Sequence, residues 1–198
     1  MHNRWTVILI TLLFAFAGWN SANAKEGLYV GLDLVEDIPE QDLRGDFAKV
    51  DPGAGLDVKL GYIFQIPIAI ELELGATGHR VKGDNAGIGF FVLDFRYFPF
   101  VFSDRPLYPY IRAGVGKYAL VIRDFKDAFG RTDDLKLTGN GFDIGIGFDF
   151  YINSNASFDV GLTQRFVTYN DIDYLDSQLT RDVKGSMTSL NVGLQYHF

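Results

Sequence analysis

Apolar and polar residues alternate along most of the chain after its first 24 residues. In segment 54–64, for example, Leu56 and Val58 alternate with Asp57 and Lys59. A period of two residues is typical of a β-strand whose two faces meet different surroundings. Eight segments show it: 28–35, 54–64, 68–77, 87–98, 109–121, 137–150, 156–167 and 186–198. They predict an all-β fold, an eight-stranded antiparallel up-and-down transmembrane β-barrel.

The two faces of these strands differ in size and charge. One carries bulky Leu, Ile, Val, Phe and Tyr, and the other mixes Gly with charged residues. Because an eight-stranded barrel is only wide enough inside for side chains, we expect the bulky face to lie outside, in lipid. The inward charges are then expected to pair, since buried charges need partners. The predicted inward set is Lys59, Arg96, Arg112 and Arg165 with Asp57, Glu71, Glu73, Asp94, Asp143 and Asp149. Lys117 and Gln164 fall on the lipid face and are expected near its rim.

The segments between the predicted strands alternate in length. Those at 36–53, 78–86, 122–136 and 168–185 are long and polar, those at 65–67 and 151–155 are short, and 99–108 is a long exception. Transmembrane barrels have short periplasmic turns and longer outer loops, so both termini are expected on the periplasmic side. Aromatic residues near that side predict an interfacial girdle: Phe64, Phe98, Phe100, Phe102, Tyr108, Phe150, Tyr151, Phe158, Tyr196 and Phe198.

The first 24 residues have the features of an export signal. Arg4 precedes an apolar run at 5–17, and Ala22-Asn23-Ala24 supplies the small-x-small pattern that a signal peptidase recognises. The run is too short for a spanning helix, which needs about 20 apolar residues. We therefore expect cleavage after Ala24, which leaves 25–198 as a single barrel domain.

Charge and composition exclude several classes of protein. The chain has 198 residues and a formal net charge of −7, which disfavours a nucleic-acid partner because phosphate backbones need a basic surface. It has no cysteine, which excludes disulfide-stapled folds and thiolate chemistry.

Two segments carry a resemblance to a known family. Pro109-Tyr110-Ile111-Arg112-Ala113-Gly114-Val115-Gly116 is similar to a PYxGAGxG-like strand, and the alternating strand Leu190 to Phe198 ends on an aromatic residue. With the export signal, these features resemble the small outer-membrane β-barrel family, the porin-family group with OmpX-, Ail- and OmpA-barrel-like members. Arg112 stands where the family often has Gly. The resemblance implies a Gram-negative outer-membrane location and recognition of the strand ending at Phe198 by the outer-membrane assembly machinery.

Candidate chemistry is sparse. Some barrels of this kind resemble lipid A acyltransferases or deacylases that use His with Ser or Asp, but neither His79 nor His197 belongs to a His-x-Ser-Asn run. We interpret His79 as a solvated loop residue and His197 as lying at the periplasmic end of the last strand. The acidic segment 170–176 lacks EF-hand spacing. No catalytic residue, cofactor or metal site is therefore predicted.

These observations predict a non-enzymatic outer-membrane protein with a structural or surface-interaction role. A wide pore is not expected, because packed side chains fill so narrow a barrel. The expected partners are outer-membrane lipid and lipopolysaccharide and the assembly machinery, and the barrel is expected to be a monomer. Two alternatives remain at this point: a lipid A-modifying enzyme of the outer membrane, and a soluble periplasmic lipocalin-like ligand binder with the bulky face inward.

Overall fold

Eight strands pair in chain order and close into a barrel. The structure, a computed structural model, describes residues 26–40, 50–81, 84–99, 106–126, 131–174 and 177–198. The strands are β1 (Gly27–Glu40), β2 (Gly53–Ile63), β3 (Ile68–Val81), β4 (Asp84–Tyr97), β5 (Leu107–Lys126), β6 (Thr132–Asn153), β7 (Ala156–Tyr174) and β8 (Ser177–His197). The described residues contain no helix long and apolar enough to cross a membrane. The expected export signal and its cleavage site lie outside these residues and stay a prediction.

All neighbouring strands are antiparallel, and their register gives the barrel its tilt. Val30 of β1 pairs with a residue of β2, and the pairs can be followed from strand to strand until they return to β1 at Glu40. The register around the barrel is therefore staggered by ten residues. At the usual spacings of residues and strands, this stagger corresponds to a tilt of about 43°. We call the end that holds Gly27 and Phe198 the periplasmic end and the opposite end the outer end.

The outward face of the barrel is an apolar band. Leu, Val, Ile, Phe and Tyr side chains point outward, with exposed fractions from 36% at Phe166 to 67% at Leu34. On β1 the band runs from Leu28 to Ile38, which is about 24 Å along the barrel axis for strands of this tilt. That height matches the hydrocarbon thickness that outer-membrane barrels cross. The predicted assignment of the two faces is confirmed, and the lipocalin-like alternative, which needs the bulky face inside, does not fit.

Buried side chains fill the described interior in three layers. The periplasmic layer is aromatic and includes Tyr29, Tyr108 and Tyr151. The middle layer holds the charged residues. The outer layer is an apolar cluster: Val50, Val81, Ala86, Ile88, Phe90, Val92, Tyr118, Leu120, Ile122, Leu135, Leu137, Val167, Tyr169, Ile172, Val183 and Met187.

Three of the predicted outer loops are wrong in extent. Most of 78–86, 122–136 and 168–185 belongs to strands that continue past the apolar band. Beyond the band the outward face meets water and the inward face meets the apolar cluster, so the sense of the alternation reverses. Ile172 and Val183, for example, are buried inside, while Asp171 and Asp182 are exposed. The outward bulky face, which predicts the strands, therefore ends at the edge of the apolar band, whereas the strands continue beyond it.

Among the described residues, the hairpins β5–β6 and β7–β8 extend farthest beyond the apolar band. The last pair between β4 and β5 is Ala86–Ile122, and β5 continues to Lys126. Likewise the last pair between β1 and β8 is Glu40–Ser186, whereas β8 begins at Ser177. The hairpins β5–β6 and β7–β8 contact each other there through the rings of Phe125 and Tyr174, with centroids 5.7 Å apart.

The predicted aromatic girdle is only partly correct. Phe64, Tyr196 and Phe198 are exposed on the outer surface near the periplasmic end, as expected. Phe98, Tyr108 and Tyr151 are instead buried inside the barrel, where they close its periplasmic end. Phe100 and Phe102 lie outside the described residues. The turn at 65–67 is confirmed, while 151–155 is shorter than predicted because β6 continues to Asn153.

Candidate functional site

The predicted inward charges all lie in the middle layer of the interior, and each of the four cations contacts several carboxylates. Lys59 forms ion pairs with Asp33 and, at 3.1 Å, with Asp159. Arg96 lies 3.0 Å from Glu71 and 3.4 Å from the same Asp159. Asp159 therefore joins Lys59 of β2 to Arg96 of β4, although it lies on β7 across the barrel. The predicted pairing of inward charges is confirmed for these cations.

The other two cations share a second carboxylate. The guanidinium groups of Arg112 and Arg165 both donate to Glu73. Arg112 also donates to Asp94, and Arg165 lies 3.4 Å from Asp37. This half of the network links β1, β3, β4, β5 and β7, so it crosses the whole lumen. Because each of the four cations has at least two carboxylates within 4 Å, these positive charges can persist away from water.

Sequence reasoning missed three members of this network, Asp33, Asp37 and Asp159. All three are fully buried. The alternation of apolar and polar residues shows that they lie on the inward face of β1 and β7. It does not show which residues they contact, because that depends on the register of all eight strands around the barrel. The structure raises the six predicted inward carboxylates to nine, against the same four cations.

Glu71, Glu73 and Asp94 come close enough to suggest a cation site, since their oxygens lie within 4.8 Å of one another. Guanidinium groups already neutralise the charge of these carboxylates, however. Arg96 donates to Glu71, and Arg112 donates to both Glu73 and Asp94. These carboxylates use their lone pairs on guanidinium groups rather than offering them to a metal ion. The acidic segment 170–176 is separate from this group of carboxylates. Its Asp171 and Asp173 lie on the outward face of β7.

His79 and His197 lie at opposite ends of the described interior. At the periplasmic end the Oγ of Ser157 is 2.9 Å from Nε2 of His197, a hydrogen-bonded pair that sequence reasoning missed because 40 residues separate its members. Both side chains are buried, at 0% and 1% exposure, and the His197 ring packs at a tilt against the rings of Tyr29 and Tyr151, with centroids 5.4 and 4.9 Å apart. A serine and a histidine at this distance have the geometry of a nucleophile and its base, but the tyrosine rings enclose them.

His79 is not the solvated loop residue that the sequence suggested. It lies on β3, is 5% exposed and points inward at the outer end. Its Nε2 is 2.8 Å from the Oγ1 of Thr77, and its Nδ1 is 2.9 Å from the backbone carbonyl of Asp51. Thr77 in turn donates to Asp37 at 2.8 Å. His79 therefore connects Asp51, which precedes β2, to the ionic network.

The two polar residues predicted on the lipid face both point outward. Lys117 pairs with Phe91 and Asn140, at the outer edge of the apolar band, as expected. Gln164 lies lower than expected, between Leu162 and Phe166 within the band. Thr188 of β8 donates to its side-chain oxygen at 2.5 Å. The hydrogen bond reduces the cost of holding an amide in lipid.

Comparisons with known proteins agree with this architecture. The Neisserial surface protein NspA has the same fold, with a TM-score of 0.65 and 15% identity over 87% of this chain and 97% of that one. OprG from Pseudomonas aeruginosa has a TM-score of 0.62 and 18% identity over 89% of this chain and 98% of that one. Ail of Yersinia pestis, solved with the heparin analogue sucrose octasulfate, has a TM-score of 0.53 and 14% identity over 88% of this chain and 100% of that one.

Sequence comparison gives the family. None of the curated protein sequences matches the chain. The model of the outer membrane protein beta-barrel domain matches residues 7–198, which is nearly the whole chain and includes both segments that carried the resemblance. The lumen filled with ion pairs, the outward apolar band and this match lead to one assignment: the chain belongs to the outer membrane protein β-barrel family and is a protein of the outer membrane.

Proposed function

We propose that this protein is a closed, non-enzymatic barrel that supports the outer membrane or presents its outer hairpins to a partner, and that it is not a wide pore. The observation that carries the proposal is the three-layered filling of the lumen. Arg112, in the middle layer, is 2% exposed and contacts carboxylates on β3 and β4. A solute that crossed the barrel would have to displace such pairs, which costs several kcal/mol for each buried charge.

A non-enzymatic role is supported by the surroundings of the two histidines. The pair of Ser157 and His197 is enclosed by tyrosine rings, and His79 faces Thr77 and Asp37 within the barrel. A general base must reach the proton that it removes in a bound substrate. His79 borders a cavity at the outer rim, but Thr77 and the Asp51 carbonyl occupy both of its ring nitrogens, and His197 is buried at the opposite end.

A surface-interaction role is supported by the projecting hairpins β5–β6 and β7–β8. By sequence, the segments 122–136 and 168–185 carry eight Asp against six Lys and Arg. Ail was solved with a polyanion, but these hairpins do not provide the basic surface that such a ligand needs. We therefore expect a partner that is neutral or basic.

The remaining expectations are part of the same proposal. The mature chain begins at Lys25 after signal cleavage, contacts outer-membrane lipid and lipopolysaccharide along its apolar band, and functions as a monomer. Its closed barrel leaves no strand edge through which two copies could pair. The assembly machinery recognises the last strand ending at Phe198. Amino-terminal sequencing of the protein from outer membranes tests the cleavage site directly.

Three measurements test the role. The protein should fractionate with the outer membrane and migrate differently on a denaturing gel before and after boiling. Liposomes containing it should not swell in isotonic sugar solutions; swelling comparable to that of a general porin would overturn the closed-barrel proposal. Overexpression should leave the mass spectrum of lipid A unchanged. A change in lipid A acylation that disappears in His79→Ala or Ser157→Ala would instead establish an enzyme.

A further inference from the structure

A cavity of about 680 Å³ opens near the outer rim of the barrel, across β1 to β4. Its floor is made of small outward residues, Ala54 of β2 and Gly78 of β3, which pair with each other. Glu36 borders it on one side, and Arg80 and Asn85 border it on the other. We call this the rim groove. Its volume lies within the range of small-ligand sites, about 300–1,000 Å³.

The packing of the barrel does not require glycine in this groove. A Cβ on Gly78 would meet no heavy atom closer than the Ala54 carbonyl oxygen, at 3.9 Å. The inward glycines are different, because a Cβ on Gly61 would overlap the Tyr29 ring and one on Gly193 would overlap the Asp33 carboxylate. A larger side chain at 78 would fit the fold and fill the groove. The glycine therefore keeps an outward space open rather than relieving a clash.

Three exposed charged residues line the rim groove: the carboxylates of Glu36 and Asp51 and the guanidinium of Arg80. Glu36 and Arg80 point outward, and neither forms an ion pair within the described part of the chain. Glu36 is unusual in its place, because Leu34 and Ile38 of the apolar band lie on either side of it on the same face. A carboxylate at the edge of the hydrocarbon is costly unless a cationic group meets it there. The protein supplies no such group to Glu36 among the described residues.

We propose that the rim groove binds the headgroup of a membrane lipid that carries both a phosphate and a primary amine. Arg80 binds the phosphate, because a guanidinium donates two parallel hydrogen bonds to phosphate oxygens. Glu36 accepts hydrogen bonds from the ammonium group. The acyl chains then lie along the outward side chains of Leu34, Leu56 and Leu74, which continue the groove towards the middle of the membrane.

The charge pattern selects this class of headgroup over others. A purely anionic headgroup would satisfy Arg80 but would be repelled by Glu36. A quaternary ammonium has no N–H to donate to the carboxylate, so a choline headgroup makes only the weaker electrostatic contact. The inference goes beyond the proposed function, since a barrel without a lipid site can still be closed and non-enzymatic.

Native mass spectrometry of the folded protein tests the proposal. The full barrel is released from mixed micelles that contain equal amounts of phosphatidylethanolamine, phosphatidylcholine and phosphatidylglycerol with identical acyl chains. We expect one phosphatidylethanolamine to be retained in preference to the other two, by about tenfold, as the loss of one charge-assisted hydrogen bond implies. Equal retention of the three lipids by the wild type would overturn the proposal, and preferential retention of phosphatidylglycerol would do so as well.

Variants assign the binding to the groove. Glu36→Gln and Arg80→Gln should each abolish the preference, and Gly78→Leu should abolish retention by filling the groove. Gly89→Leu is the matched control, because Gly89 is also outward with its nearest atom at 3.9 Å but lies outside the groove. All variants are first checked for the heat-modifiable band, which reports the barrel itself. Retention unchanged in folded Gly78→Leu, or lost equally in folded Gly89→Leu, would show that the lipid binds elsewhere.

Discussion

Nζ of Lys59 and Oδ1 of Asp159 lie 3.1 Å apart in the middle of the barrel, although the two residues are 100 positions apart in the chain. Both side chains are fully buried. The pair crosses the lumen from β2 to β7, which are not neighbouring strands. It therefore joins opposite walls of the barrel without any backbone hydrogen bond between them.

Replacing Lys59 by methionine removes one partner from this network and leaves Asp33 and Asp159 without their shared cation. We expect the free energy of unfolding to fall by about 3–5 kcal/mol, the usual cost of an uncompensated buried charge. The measurement is urea unfolding in lipid vesicles, followed by the loss of the heat-modifiable band. Lys117→Met is the matched control at the outer rim, where we expect a change of about 0–1 kcal/mol. Equal losses in the two variants would contradict the central position of the Lys59 pairs.

The inward glycines provide a second prediction. An alanine at Gly61 would overlap the ring of Tyr29, which is held in place by its 2.7 Å hydrogen bond to Glu71. We expect Gly61→Ala to destabilise the barrel by about 1–3 kcal/mol, as overpacking does. Gly87→Ala serves as the control, because its nearest atom is the Thr77 carbonyl oxygen at 3.7 Å. That outward variant should stay within about 0.5 kcal/mol of the wild type in the same unfolding assay.

His79 distinguishes the two interpretations of segment 78–86. A solvated loop histidine could be replaced at no cost, whereas the buried His79 bridges Thr77 and the Asp51 carbonyl. We therefore expect His79→Ala to lower the unfolding free energy by about 1–3 kcal/mol, because it leaves buried polar groups unpaired. The exposed neighbour Asn85, changed to alanine, should change stability by less than about 0.5 kcal/mol. An unchanged urea midpoint for His79→Ala would restore the loop interpretation.

The terminal residue tests recognition by the assembly machinery. Phe198 is exposed on the periplasmic side, with 57% of its surface accessible, so the finished barrel gains little from its packing. We expect Phe198→Ser to reduce the amount of folded protein in the outer membrane several-fold in cells, while the purified variant refolds in detergent like the wild type. Phe158→Ser removes an aromatic from the adjacent strand β7 and should not reduce assembly in cells. Poor refolding of Phe198→Ser in detergent would point to a structural role instead.

The alternation predicted all eight strands because lipid requires one continuous apolar face. Leu56, Val58 and Leu60 face outward in the structure as the pattern of β2 required. Outside the lipid this rule no longer applies, and the strands around Ile122, Leu135 and Ile172 were interpreted as loops because their apolar residues are on the opposite face.

The candidate sites were harder to predict than the strands. That Lys59 and Asp159 are inward follows from period two, but that they meet depends on the stagger of ten residues, to which every strand contributes. The pair of Ser157 and His197 depends on the same register between β7 and β8. Because the strands tilt, residues paired across neighbouring strands lie at different heights in the membrane. The depth of Gln164 within the apolar band likewise follows from this tilt.

The network of buried charges also constrains how the barrel enters the membrane. Arg165 of β7 reaches Asp37 of β1, 128 positions earlier in the chain, and Glu73 of β3 joins it to Arg112 of β5. A hairpin that inserted alone would carry such charges into hydrocarbon without their partners, at a cost of several kcal/mol for each. Although β1–β2 and β3–β4 each hold one ion pair of their own, Glu73 of β3 and Arg165 of β7 find their opposite charges only on other hairpins. We therefore expect closure of the ring, which pairs β1 with β8, to be coupled to passage into the bilayer.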